Sequence, residues 1–225
     1  MPGPSTAASP PTADQVPVAT AVLVPVKAFG QAKLRLAEVL EPATRSELAR
    51  AMAAQVLRAA GPLPSYVVCD DLEVRAWAER QGATVVWTPG LGLNGAVEAG
   101  VAHLAARGIG RAIVGHADLP LAADLGWLAG FPGVSLVPDR HGDGTNVACV
   151  PTDVGFRFAY GAGSFAAHRA EAARLGLAAR LVPDERLGWD IDVPADLGAA
   201  RDLPLPSTLA ALLEAATPDP HPAEV

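Results

Sequence analysis

Apolar residues in this chain fall into short unbroken runs separated by segments of helical spacing. The first run, Ala21 to Val26, is interrupted only by Pro25. It predicts a strand buried on both faces, as in a parallel sheet. SYVVC (65–69), TVVW (84–87), RAIVG (111–115) and VSLVP (134–138) repeat the signal. Helical stretches lie between them. One follows a capping box at Thr44-Arg-Ser-Glu47 and runs to Ala60, and a second is capped by Asp70/Asp71 and runs through Arg80. A third begins where the Pro89, Gly90 and Gly92 loop ends in Asn94 and continues to about Arg107, and residues 122–129 predict a short helix. Short strands alternating with helices predict an α/β domain whose sheet is mainly parallel, with helices on both faces.

The pattern changes after Pro138. DRHGDGTN (139–146) is polar and glycine-rich, NVACV (146–150) is apolar, and FRFAYG (156–161) alternates. The alternation predicts a small antiparallel excursion. A helix from Ser164 to about Leu175, a strand at 178–182 and the segment WDIDVPADL (189–197) complete the domain. Prolines then mark its limits: ten of the 21 lie in residues 1–17 and 203–225. The division expected is an irregular tail over 1–18, a working domain over 19–202 and a Pro-rich tail over 203–225, with a short helix at 207–216.

Composition narrows what the domain can do. Hydrophobic residues make up 50% of the chain and charged ones 18%, enough apolar surface for a proper core. The net charge of −7 argues against a general nucleic-acid binder. No stretch approaches the roughly 18 apolar residues a membrane span needs, and MPGPSTAASPPTADQ lacks the pattern of a secretory signal. A cytoplasmic protein is the expectation, and a homodimer stays open as its assembly. Cys69 and Cys149 sit in apolar runs and read as buried thiols.

Against that acidic background one stretch stands out. Lys27, Lys33 and Arg35 follow the first strand with no acid until Glu38. Ligands of open α/β sheets bind at the carboxyl ends of parallel strands, and a polyphosphate would suit such a loop. A solvated basic turn would look the same. Asp118 follows the strand 111–115, and Asp190 and Asp192 flank Ile191 in an extended segment, so the last two share a face. Carboxylates at strand ends suit Mg²⁺ bound together with phosphate oxygens. Each could equally be a helix cap, as Pro194 with Asp196 suggests. A second cluster joins Thr145, in GDGTN, with Gly161 and Ser164, in YGAGSFAAH. Its hydroxyls and the amides opening the Ser164 helix could hold an anion, or could merely form a turn and cap. His168 lies one helical turn beyond Ser164, and His116 ends the fourth strand. No Walker loop, dinucleotide-binding glycine motif or serine-hydrolase elbow is present.

VPVKAFGQAKLRL, GLNGAVEAG, HADLPL, DGTN, YGAGSFAAH and WDIDVPADL, in that order, resemble the guanylyltransferases of deazaflavin coenzyme (F-420) biosynthesis, which act on 2-phospho-L-lactate or phosphoenolpyruvate. The resemblance spans about residues 22–197. It implies a Rossmann-like sheet of the nucleotide-diphospho-sugar transferase type, with GTP, Mg²⁺ and a small phosphorylated three-carbon acid as partners. It further implies that Asp118, Asp190 and Asp192 hold metal and that Thr145, Gly161 and Ser164 hold the acid. Lys27, Lys33 and Arg35 fall where the family binds triphosphate, and Asn94 lies in the loop that would meet the nucleotide. Departures from the family border the acceptor pocket: Leu34 replaces a common Ser or Thr, Asp143 occupies a glycine-rich loop that varies between subgroups, and Tyr160 stands where Phe is frequent. Another nucleotidyltransferase of the same fold, making a nucleotide sugar or a molybdopterin guanine dinucleotide, and a GTP-binding regulator without turnover are the competing readings.

Overall fold

The computed structural model describes residues 18–215. Most of the N-terminal tail and the end of the C-terminal one lie outside the described residues. At the centre is β1 (Thr20–Pro25), whose Ala21, Val22, Leu23 and Val24 have no solvent exposure. It pairs in parallel with β2 (Ser65–Cys69) on one side and with β4 (Arg111–Gly115) on the other, and β3 (Thr84–Trp87) extends the sheet beyond β2. Beyond β4 come β6 (Thr145–Pro151), β5 (Val134–Pro138) and β7 (Ala179–Leu181), giving the order β3-β2-β1-β4-β6-β5-β7. Only β6 runs antiparallel to its neighbours.

Side chains that alternate along β1 reach opposite layers. Val22 and Val24 pack with α1 (Pro42–Arg58) and α2 (Leu72–Arg80), through Ala53, Val56 and Trp77 among others. Ala21 and Leu23 pack with Val97, Val101 and Leu104 of α3 (Gly92–Ala106). That is why the run had to be apolar throughout: neither face meets water. Contact with α3 is close enough that a Cβ on Gly100 would sit 2.7 Å from both Leu23 and Val68. The same cluster includes Ala172 of α4 (Ser164–Arg174). A third cluster gathers Leu36, Met52 and Ile191 with Leu197 of α5 (Pro194–Ala200) and with Leu209 and Leu213 of α6 (Ser207–Ala215). The helix expected in the C-terminal stretch therefore packs against the domain. No helix among the described residues is long and apolar enough to cross a membrane.

The strands follow the apolar runs, and the differences lie at helix starts and in irregular stretches. α1 begins at Pro42 with Glu41 as its cap, not at Thr44, because proline at the first helical position is pre-set for the turn. α2 is capped as expected, Asp71 accepting from Val74 N at 3.0 Å. α3 begins at Gly92, so Asn94 lies within its first turn. Residues 126–130 form a 3₁₀ turn in place of a helix over 122–129. The antiparallel excursion is β6, and 156–161 forms no strand. Its alternation is real, with Phe156, Phe158 and Tyr160 buried, but side chains take its amides one after another. Arg157 N donates to Glu171, Phe158 N to Glu98, Ala159 N to His168 and Tyr160 N to Asn94. Periodicity shows which face is buried; it does not show what receives the backbone hydrogen bonds.

Candidate active site

β1 and β4 are adjacent and parallel, yet the chain visits β2 and β3 between them. Their carboxyl ends therefore flank a topological switch point. The loop after β1 carries Lys27, Lys33 and Arg35, and the one after β4 carries His116 and Asp118. Together with Tyr160, Gly161 and Asp192 they line a crevice of about 450 Å³. A second hollow shares Pro25, Val26, Lys27, Gln31 and Leu93 with it and runs over the ends of β1 and β2 to Asp70 and Thr88.

Lys33 is the hub. Its backbone is left-handed (φ 54°, ψ 40°), a conformation that costs a non-glycine residue about 1 kcal/mol or more. Buried Leu36 and Arg45, which donates to Ala32 O at 2.9 Å, anchor the loop around it. The ammonium donates to Asp118 Oδ2 at 2.6 Å and Asp192 Oδ1 at 2.8 Å, joining loops 85 and 159 residues away. Burial alone would lower the Lys33 pKa, but the two carboxylates outweigh it and hold the ammonium charged. Burial likewise works against the Asp118 carboxylate, and Lys33, with His116, overrides it and keeps the pKa below the usual range. Arg35 is 75% exposed and reaches Asp192 at 3.8 Å. Lys27 lines the crevice from its exposed side.

Asp192 is held by residues that sequence reasoning did not place at the site. Asp196 Oδ2 accepts from the backbone N–H groups of Asp192 and Val193 at 2.7 and 2.8 Å, while Arg140 binds Asp196 and donates to Asp190 O. The Pro194–Asp196 pair signalled this turn, but only as a helix start. Asp190 has its pKa raised by burial and then by repulsion from Asp118 and Asp192. Asp118 Oδ1 and Asp190 Oδ1 are buried without a hydrogen-bond partner. Asp190 Oδ1 meets the Arg140 guanidinium at 3.5 Å, and the unpartnered Asp118 oxygen beside mutually repelling carboxylates fits a hard cation such as Mg²⁺. No group of three or more His, Cys, Asp or Glu side chains converges in metal-binding geometry among the described residues. The Lys33 ammonium lies where Asp118 and Asp192 meet.

The second cluster is assembled differently from its expected form. Gly161 lines the crevice, whereas Thr145 and Ser164 are buried behind it. Thr145 N donates to Ser164 Oγ at 2.9 Å. His168 Nε2 accepts from Ala159 N at 3.0 Å, so its proton sits on Nδ1, 3.0 Å from Thr145 Oγ1. Burial lowers the His168 pKa to about 4, in keeping with a neutral core imidazole among Phe156, Phe158 and Tyr160. The amides opening α4 are taken within the protein: Gly163 N donates to Asp143 Oδ2, Ser164 N to Gly161 O and Phe165 N to Asp143 O. They do not face an open anion site. Asn94 is likewise engaged, its side chain accepting from Tyr160 N at 2.7 Å and approaching Tyr160 O at 3.5 Å. His116 lines the crevice, and burial lowers its pKa.

The chain is 38% identical over 187 residues to the phosphoenolpyruvate guanylyltransferase of Sphaerobacter thermophilus, covering 79% of this chain and 90% of that protein. It is 39% identical over 213 residues to the enzyme of that name from Thermomonospora curvata, covering 88% and 91%. Among solved structures, a nucleotidyl transferase from Methanothermobacter shares the fold, with a TM-score of 0.59 at 20% identity over 81% of this chain and 96% of that one. The family model described as "Guanylyl transferase CofC like" matches residues 20–200. That span takes in both loops of the crevice and the Asp190–Asp196 turn, and the chain belongs to the CofC-like guanylyl transferase family.

Proposed function

We propose that the protein transfers GMP from GTP to the phosphate of a small three-carbon acid, with release of pyrophosphate, in coenzyme F-420 biosynthesis. Phosphoenolpyruvate, 2-phospho-L-lactate and 3-phospho-D-glycerate are the candidate acceptors. The observation that carries this reading is the bridge from Lys33 to Asp118 and Asp192, beside Lys27 and Arg35, at the switch point of the sheet. Three cations and the carboxylates of Asp118 and Asp192 line one crevice, which supports a triphosphate and its metal as the ligands. The names of the relatives support the acceptor class.

In this reading Lys27, Lys33 and Arg35 hold the triphosphate. The nucleoside extends into the hollow lined by Gly92, Leu93 and Ala96 at the start of α3. Asp118, Asp190 and Asp192 would hold Mg²⁺, which when bound neutralises phosphate charge and orients the oxygens. An acceptor phosphate oxygen attacks the α-phosphorus as the bond to the β-phosphate oxygen breaks, and pyrophosphate leaves. The second pKa of a phosphate monoester is about 6, so its nucleophilic oxygen is already ionised and no general base is required. Positioning and charge neutralisation supply the catalysis.

The test is incubation with GTP, Mg²⁺ and each acid separately, with product masses read directly. One of the three acids should yield its guanylyl diphosphate adduct and pyrophosphate. Asp118→Asn and Asp192→Asn should abolish pyrophosphate release while the far-UV circular dichroism stays that of the parent. Saturable GTP binding with no pyrophosphate released from any acid would overturn the assignment in favour of a regulator.

A further inference from the structure

Of the seven side-chain atoms buried without a hydrogen-bond partner among the described residues, three belong to residues lining the crevice: His116 Nε2, Asp118 Oδ1 and Tyr160 Oη. The Asp118 oxygen suits a metal. A tyrosine hydroxyl does not, since a neutral phenol is a hydrogen-bond donor and a weak metal ligand. Its isolation is costly: a buried polar group with no partner destabilises the protein that carries it.

The chain nevertheless holds Tyr160 firmly. Asn94 grips its backbone from both sides, Phe158 stacks on one face with ring centroids 5.6 Å apart, and His116 and His168 press on it at 4.7 and 4.9 Å. Burial raises the phenol's pKa, so the proton stays on oxygen. The adjoining residue, Gly161, also lines the crevice. A rigid neutral donor thus stands beside His116, on the wall of the crevice that the cations of the β1 loop also line. A phosphorylated acid carries, besides its phosphate, a carboxylate that needs donors of this kind.

Resting on the reaction proposed above, we infer that Tyr160 Oη, with His116 beside it, binds the carboxylate of the acceptor acid and so determines which acids are accepted. Phosphoenolpyruvate and 2-phospho-L-lactate both carry the phosphate on the carbon next to the carboxylate, whereas 3-phospho-D-glycerate carries it one carbon farther away. A fixed donor on a clamped backbone discriminates between such distances, as a mobile lysine would not.

Tyr160→Phe removes one oxygen and keeps the ring. The measurements are KM for the acid that the parent turns over, KM for GTP, and thermal unfolding with and without each acid. The variant should raise the acid KM by about ten-fold or more, the loss expected for one hydrogen bond to a charged group. KM for GTP should stay within about two-fold. Without acid the variant should melt at a higher temperature than the parent, because the isolated hydroxyl is gone, and acid should stabilise it less. An unchanged acid KM, or equal rises in both KM values, overturns the inference while leaving the guanylyl transfer intact. Failure of every acid to react in the parent overturns the transfer itself. The melting curves still decide on Tyr160 in that case: stabilisation by an acid that the variant loses supports its role, and equal or absent stabilisation in both proteins refutes it.

Discussion

Replacing Lys33 by Met separates the electrostatic claim from the catalytic one. The substitution keeps side-chain bulk and the left-handed backbone, and deletes the charge between Asp118 and Asp192. At about 3 Å and an effective dielectric near 20, each ion pair is worth roughly 5 kcal/mol of attraction, most of it offset by desolvation of the ammonium. The quantity that decides the outcome is therefore the charge left behind. Asp192 is 46% exposed and loses little. The Asp118 carboxylate is mostly buried, and stranding such a group costs about 3–5 kcal/mol. It can escape by taking up a proton, which at pH 7 costs about 4 kcal/mol from an ordinary pKa near 3.9. That sets a ceiling, and a loss of about 2–4 kcal/mol is expected.

Urea unfolding across pH checks both size and sign. In the parent the Asp118 pKa lies below its unfolded value, so its contribution is complete above about pH 4 and fades as pH falls through the folded value. In Lys33→Met the unpaired carboxyl has its pKa raised instead. The deficit should be largest near neutrality and should shrink toward pH 4 as the carboxyl takes up its proton. Mg²⁺ should stabilise the variant more than the parent, because the two carboxylates no longer share an ammonium. A loss under about 1 kcal/mol at pH 7, or one that does not change with pH, would refute the argument that Lys33 neutralises a buried carboxylate.

Two further outcomes follow from geometry. His168 is neutral with a pKa of about 4 against roughly 6.5 unfolded, so stability is lost as pH falls between these values, by up to about 3 kcal/mol. His168→Phe should flatten that part of the stability–pH curve measured by urea unfolding, and an unchanged slope would remove His168 as its source. Gly100→Ala should destabilise by about 1–2 kcal/mol, since a Cβ 2.7 Å from Leu23 and Val68 outweighs the gain in helix propensity; a thermal midpoint at or above the parent's would contradict that packing.

What could be read in advance depended on how local the cause was. Strands β1, β2 and β4 were legible because burial on both faces demands continuous apolar runs, the edge strand β3 because its four residues are all β-branched or aromatic, and the cationic loop because no acid stands among its three cations in the sequence. The pairing of Lys33 with Asp118 and Asp192 was legible only as an expectation of chemistry, since nothing local tells a lysine which carboxylates lie 85 and 159 residues away. Stretch 156–161 marks the opposite limit. Its alternation correctly predicted which side chains are buried, yet its amides go to Glu171, Glu98, His168 and Asn94, four residues on two helices. The same relation accounts for Asn94 and the start of α4, where groups suited to a ligand grip Tyr160 and Asp143. In this crevice the polar groups therefore divide by their partners. Asn94, Glu98, Asp143, His168 and Asp196 have their partners within the chain and shape the walls. Asp118, His116 and Tyr160 retain an atom with none, and a buried polar atom without a partner costs the protein stability that a polar contact would restore.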